Sequence, residues 1–257
     1  MIRRLARCAA ALAPLTLAPS PAVAQKPAPV PWATGERLEY EVKYGPISAG
    51  SARMEVVGLD TVRDRLTWHL HFNVSGGIPW IYRLNDSYDS WMDVETLNSL
   101  RFVQRLSEGN RDRLRIYDIF AERGVFIENG KQEKPTVPAP LDDASFLFFV
   151  RTIPLKAEST YKFNRYFDPN SNPVTIIVLR RETVEVPAGR FDAVVVQPII
   201  KTSGLFSQGG QAEIWLSDDN RRILLQMKTR TPIGSLNLYL RTIKGAQAPS
   251  LVPPGHP

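Results

Sequence analysis

Five stretches of this chain switch between apolar and polar residues at every step, and that rhythm limits what the chain can fold into. Leu38, Tyr40, Val42 and Tyr44 alternate with Glu39, Glu41 and Lys43; Leu66, Trp68, Leu70, Phe72 and Val74 alternate with Thr67, His69, His71 and Asn73. Leu114 and Ile116 face away from Arg113, Arg115 and Tyr117, Ile214 and Leu216 alternate with Glu213 and Trp215, and Leu236, Leu238 and Leu240 with Asn237 and Tyr239. A period of two places alternate side chains on opposite faces of a strand. One apolar face per strand is the mark of antiparallel sheet lying on a core. Two denser runs, Val174–Leu179 and Ala193–Val196, predict strands covered on both faces.

Turn chemistry separates these runs, as at Ser107-Glu108-Gly109-Asn110, Pro187-Ala188-Gly189-Arg190 and Ser217-Asp218-Asp219-Asn220. Roughly ten strands at intervals of about ten to twelve residues predict a strongly curved antiparallel sheet or an incomplete barrel. Helical signal is sparse. Asp142 or Asp143 suits a helix cap, and Ala144-Ser145-Phe146-Leu147-Phe148-Phe149-Val150-Arg151 follows, stopping before Pro154. A helix apolar around most of its circumference has to be covered widely, so the concave side of the sheet is its expected place. A shorter turn or helix is expected over residues 78–83, after Gly76-Gly77.

The first 24 residues have the order of a secretory signal: Arg3, Arg4 and Arg7, an apolar stretch, then Ala22-Val23-Ala24 as a cleavage site. That stretch is shorter than the about 20 residues a bilayer span needs, so no membrane-spanning segment is expected after cleavage behind Ala24. Cleavage takes away three arginines and no acid, which halves the formal charge of +6 and weakens a nucleic-acid reading. The lone Cys8 leaves with the signal, which excludes a disulfide framework or a thiolate zinc site. Prolines then mark residues 25–35 as an extended lead-in and 245–257 as a disordered tail, around one β-rich domain over 36–244.

Three segments carry a family resemblance: Tyr40-Glu41-Val42-Lys43-Tyr44-Gly45-Pro46-Ile47-Ser48-Ala49-Gly50, Val184-Glu185-Val186-Pro187-Ala188-Gly189-Arg190-Phe191-Asp192-Ala193, and Ala212-Glu213-Ile214-Trp215-Leu216-Ser217-Asp218-Asp219-Asn220-Arg221-Arg222. In order and spacing they resemble the bacterial domain-of-unknown-function family 3108, across nearly the whole mature domain. The resemblance implies an exported, largely β protein of the Gram-negative periplasm, with no established activity. Its general look is similar to lipoprotein carriers, in which an incomplete barrel wraps a helix over a greasy cavity. It supplies no catalytic residues.

Candidate sites follow from residue type. Trp80, Tyr82, Phe146, Phe149 and Val150 form the apolar group expected to line or gate a cavity. Arg111, Arg113 and Arg115 share one strand face, and guanidinium groups pair with phosphate in a forked geometry. Nearby Glu108, Asp112, Asp118 and Glu122 favour a solvated, partly paired surface for them. His69 and His71 also share a face, but the third histidine is His256 in the tail, so the ligand count favours a solvated face over a metal site. Asp142-Asp143 and Asp218-Asp219 read as a helix cap and a hairpin turn. No nucleophile elbow, phosphate loop or dinucleotide fingerprint is present, and no cofactor is implied. The expectation is an exported, non-enzymatic binding or carrier module for an apolar envelope molecule, a lipid or acyl-bearing glycan. The alternatives are a scaffold docking through a sheet edge or its basic face, and a cell-wall or glycan hydrolase.

Overall fold

The computed structural model describes residues 25–78, 82–109, 111–200, 212–231 and 234–245. Within them run β1 (Arg37–Tyr44), β2 (Ile47–Val62), β3 (Arg65–Ile78), β4 (Tyr82–Asp93), β5 (Ser99–Glu108), β6 (Arg111–Phe120), β7 (Val125–Glu128) and β8 (Glu133–Pro135). After the one α-helix, α1 (Asp143–Phe149), come β9 (Thr160–Phe163), β10 (Val174–Val186), β11 (Gly189–Ile199), β12 (Glu213–Ser217), β13 (Leu224–Thr231) and β14 (Gly234–Lys244). The signal segment 1–24 and the tail 246–257 lie outside the described residues.

All fourteen strands join one antiparallel sheet, in the order β8-β7-β6-β5-β4-β3-β2-β1-β14-β13-β12-β11-β10-β9. The sheet stays open. Its edges are the short strands β8 and β9, and the chain between them carries α1 back across the concave face against β3 and β4. An isolated bridge between Leu141 and Tyr166 ties the two ends of that crossing together. At the other side the sheet curls until Ala188, at the tip of the β10–β11 hairpin, donates its N–H to the Leu240 carbonyl of β14.

Sharp curvature needs local devices, and glycine supplies one. Gly50 and Gly76 are cross-strand neighbours on β2 and β3. A Cβ on Gly50 would overlap the Ser75 carbonyl, and one on Gly76 the Ala49 carbonyl, so only glycine lets the two backbones cross this closely. The inner positions form rows across the sheet. One row runs Tyr117–Phe102–Ser90–Leu70–Val56 and the next Arg115–Gln104–Tyr88–Phe72–Met54. Leu70, Phe72, Met54, Val56, Phe102 and Tyr117 are buried with α1 in a single core.

Several expectations change here. The strand count exceeds ten because β7, β8 and β9 are too short to show alternation. Of the 78–83 segment, residues 79–81 lie outside the described residues, and at its ends Ile78 closes β3, Tyr82 opens β4 and Arg83 continues it, Ile78 and Tyr82 being paired. The run from Val174 alternates buried and half-buried and is covered on one face, whereas Ala193–Val196 is buried throughout. The phase of β6 is reversed. Leu114 is exposed on the outer face, and Arg113 and Arg115 share the inner face with buried Tyr117 and Ile119. The lead-in 25–35 is extended but packed: Gln25 bonds Asp93 and the Leu66 N–H, Ala28 donates to the Val94 carbonyl, and Trp32 is buried in the core.

Candidate functional site

The inner face has two ends of different character. At the closed end Asp142 caps α1, accepting from the N–H groups of Ala144 (2.9 Å) and Ser145 (2.8 Å), while its own N–H donates to Ser145 Oγ at 2.8 Å. This reciprocal box satisfies amides that a helix start leaves unpaired. Its other oxygen accepts from Ser90 Oγ at 2.6 Å, which fixes the helix to β4. Burial pushes the Asp142 carboxyl up to about 6 against these hydrogen bonds, and neighbouring Asp143 adds to the rise. Asp143 accepts from Tyr166 Oη and Gln104 Nε2, each at 3.0 Å, and desolvation raises its carboxyl too.

Phe146, Phe149 and Val150 are all buried at this closed end. Phe149 meets Phe163 edge-on at 5.3 Å and lies 4.5 Å below the Arg165 guanidinium; Phe148 meets Trp32 at 5.5 Å. A second clamp follows the helix. Arg151 pairs with Glu36 at 2.5 Å, and Arg221 reaches the same carboxylate at 2.9 Å. Both Arg151 and Glu36 are withdrawn from solvent. Of the other apolar candidates, Trp80 lies outside the described residues and Tyr82 is placed only as the first residue of β4.

The open end lies farther along the same face, starting where Gln104 meets Asp143 at the first residue of α1. Here β4 contributes Leu84, Asp86 and Tyr88, β5 contributes Gln104 and Leu106, and β6 contributes Arg111, Arg113 and Arg115. Register sets Arg115 beside Gln104, Arg113 beside Leu106 and Arg111 beside Glu108. Arg111 and Arg113 are exposed, and Arg115 is half-buried. Asp86 is buried and accepts from the Ser107 N–H at 2.9 Å. Gln104 keeps only 8% of its surface, and its Oε1 is buried without a hydrogen-bond partner. Burial pushes the Tyr117 phenol up, with Glu128 adding to that and Arg115 opposing it. The arrangement is amphipathic: apolar side chains and cations share a surface that curves inward.

His69 and His71 sit on the outer face, half-buried, and both contact the same oxygen of Asp89, at 3.0 and 2.9 Å. Arg105 holds the second oxygen at 2.9 Å, and His69 stacks on Trp91 at 4.6 Å. Despite partial burial, hydrogen bonds from both imidazoles hold the Asp89 carboxyl below the usual carboxylate range. The expected solvated pair is therefore a packed cross-strand network. Among the described residues no group of three or more His, Cys, Asp or Glu side chains is placed to hold a metal ion. Also among them, no helix is long and apolar enough to cross a membrane.

Sequence reasoning misses Gln104, Asp86, Tyr166 and Asp89, whose roles depend on strand register. One signal was available: Gln104 is a lone polar residue between Phe102 and Leu106 in the inward phase of β5.

A solved structure shares the architecture. A β-barrel-like protein of the domain of unknown function DUF1849 from Brucella abortus aligns with a TM-score of 0.55 at 11% identity, over 82% of this chain and 97% of that one. The hypothetical protein CT021 from Chlamydia trachomatis aligns with a TM-score of 0.34 at 9% identity, over 87% and 94% of the two chains. The first likeness concerns the fold alone. No curated protein matches. The family model for the protein of unknown function DUF3108 matches residues 39–241, from the third residue of β1 into the last strand, and so spans the open sheet with both ends of its inner face. The chain belongs to the DUF3108 family.

Proposed function

We propose that this protein is an exported binding module for an amphipathic molecule of the cell envelope, with an acyl or other apolar part and an anionic head. The observation that carries the reading is the phase of β6, which sets Arg113 and Arg115 on the inner face in line with Tyr117. A sheet that only had to fold would turn Leu114 and Ile116 inward at these positions. Arginine in their place offers forked donors to a phosphate or carboxylate. Leu84, Tyr88 and Leu106 lie beside them for the apolar part, and the Phe146–Val150 segment forms the packed floor behind. The signal-like residues 1–24 support delivery to the periplasm.

Docking by strand addition finds less support. The stretch of β10 beyond its pairing with β9 carries Arg180, Arg181, Glu182 and Glu185, and charges of this kind discourage added strands. Native mass spectrometry of protein purified gently from envelope extracts tests the proposal. A bound mass of a few hundred daltons or more that chloroform–methanol removes is expected; protein that emerges ligand-free from every extract contradicts it.

A further inference from the structure

We infer a second binding site on the opposite, outer face of the sheet, for a hydroxylated ligand bearing an oxyanion, that is, an acidic or phosphorylated sugar. This inference is independent of the amphiphile reading, because it uses none of the same side chains.

A twisted sheet face has no reason to be hollow, yet a cavity of about 420 Å³ lies across the outer faces of β14, β1, β2 and β3. Two bulges produce it. Between Glu39 and Tyr40 the partner on β14 skips from Thr242 to Leu240, so Arg241 is an extra residue. Between Val42 and Lys43 the partner on β2 skips from Gly50 to Ser48, so Ala49 is extra. A bulge bends its strand, increases local twist and re-aims a side chain, and these two flank β1 on either side.

The lining suits an anion with hydroxyls. Arg37, Arg53 and Arg241 supply three guanidinium groups, and Ser51, Asn73 and Thr242 supply neutral donors and acceptors. Arg241 has no ion pair among the described residues. The Nε atoms of Arg37 and Arg53 are buried without a hydrogen bond. Arg37 Nε does lie 2.9 Å from Glu39, but without hydrogen-bond geometry, and Arg53 Nε lies 3.7 Å from Glu55, too far for a hydrogen bond. The rest of each side chain is partly exposed, 37% for Arg37 and 35% for Arg53, and guanidinium donors there suit an incoming oxyanion. The carboxylates that also line the cavity are already engaged, Glu39 by Arg37 and Lys244 and Glu41 by Lys43, and remain able to accept from sugar hydroxyls.

Isothermal titration of the purified protein with glucose 6-phosphate, glucuronate, inorganic phosphate and glucose tests the site. Saturable binding of one or both acidic sugars is expected, with inorganic phosphate weaker and glucose silent. Binding of the phosphorylated sugar alone assigns a phosphate subsite, and of glucuronate alone a carboxylate subsite; either supports the proposal. Arg37→Gln and Arg53→Gln should each weaken binding by about tenfold, as expected for loss of one charge-assisted bond. Asn73→Asp, which adds a repelling charge without emptying the groove, serves as the second variant should an arginine change unfold the protein. Absence of saturable binding by both acidic sugars at millimolar concentration, or binding unaffected by folded Arg53→Gln and Asn73→Asp variants, overturns the proposal.

Discussion

The closed and open ends of the inner face share strand β4, yet they follow different rules. At the closed end the inward face is covered by α1 and its flanking segments: aromatic side chains interlock, Asp142 is held by Ser90, Ala144 and Ser145, and Arg151 meets Glu36. At the open end the same inward phase carries Arg111, Arg113 and Arg115 and a glutamine oxygen without a partner. Burial dictates residue type only where something covers the face. The contrast separates the part of the molecule that holds the fold from the part to which the proposed function assigns binding.

The largest effects should fall at the closed end. Phe148→Ala empties a fully buried ring site and should cost about 3–5 kcal/mol in chemical denaturation. Arg151→Ala leaves Glu36 in the interior with Arg221 alone and should cost a similar amount, about 3–5 kcal/mol. A loss below about 1 kcal/mol in both would show that this end is not the packed one.

A smaller effect with a definite sign concerns Asp142. Its folded carboxyl titrates near 6, above its ordinary value, so the folded state holds a proton that the unfolded state has lost. The contribution is therefore fully present below about pH 4 and lost as pH rises through about 6, a decline on the order of 3 kcal/mol. Asp143 acts with the same sign, and Asp89, held low, with the opposite one: its contribution is present at neutral pH and lost in acid. Asp142→Asn keeps an acceptor for the Ala144 and Ser145 amides, so its stability should fall less than the wild type's between pH 4 and 7. Parallel pH profiles from denaturant melts would contradict the assignment.

The smallest stability effects belong at the open end. Arg111→Gln and Arg113→Gln should shift stability by no more than about 0.5 kcal/mol, as should Leu114→Thr on the outer face. A cost above about 2 kcal/mol for either arginine change would make the two ends alike and give these side chains a structural role.

The same contrast explains what could be read from sequence. Where burial is strict, alternation spells out the strands: Leu38, Tyr40 and Val42, or Leu70, Phe72 and Val74, are inward as their pattern requires. Asp142 and the phenylalanines after it announce a capped, widely covered helix because the cap and the covering are local or nearly so. On β6 the pattern misleads, since Leu114 and Ile116 look like a core face while the uncovered end lets arginines take the inward phase. The meeting of His69 and His71 with Asp89, and of Gln104 with Asp143, depends on strand register and on the path of the helix crossing, neither of which any single segment encodes.

The most direct test titrates a single-chain phosphate amphiphile, dodecyl phosphate below its micellar concentration, into the wild type and an Arg113→Glu/Arg115→Glu variant, following intrinsic fluorescence. Saturable one-to-one binding to the wild type, weakened at least about tenfold in a folded variant, is the predicted result. Equal binding by both proteins, or no saturable binding by the wild type, would contradict an anion-receiving open end.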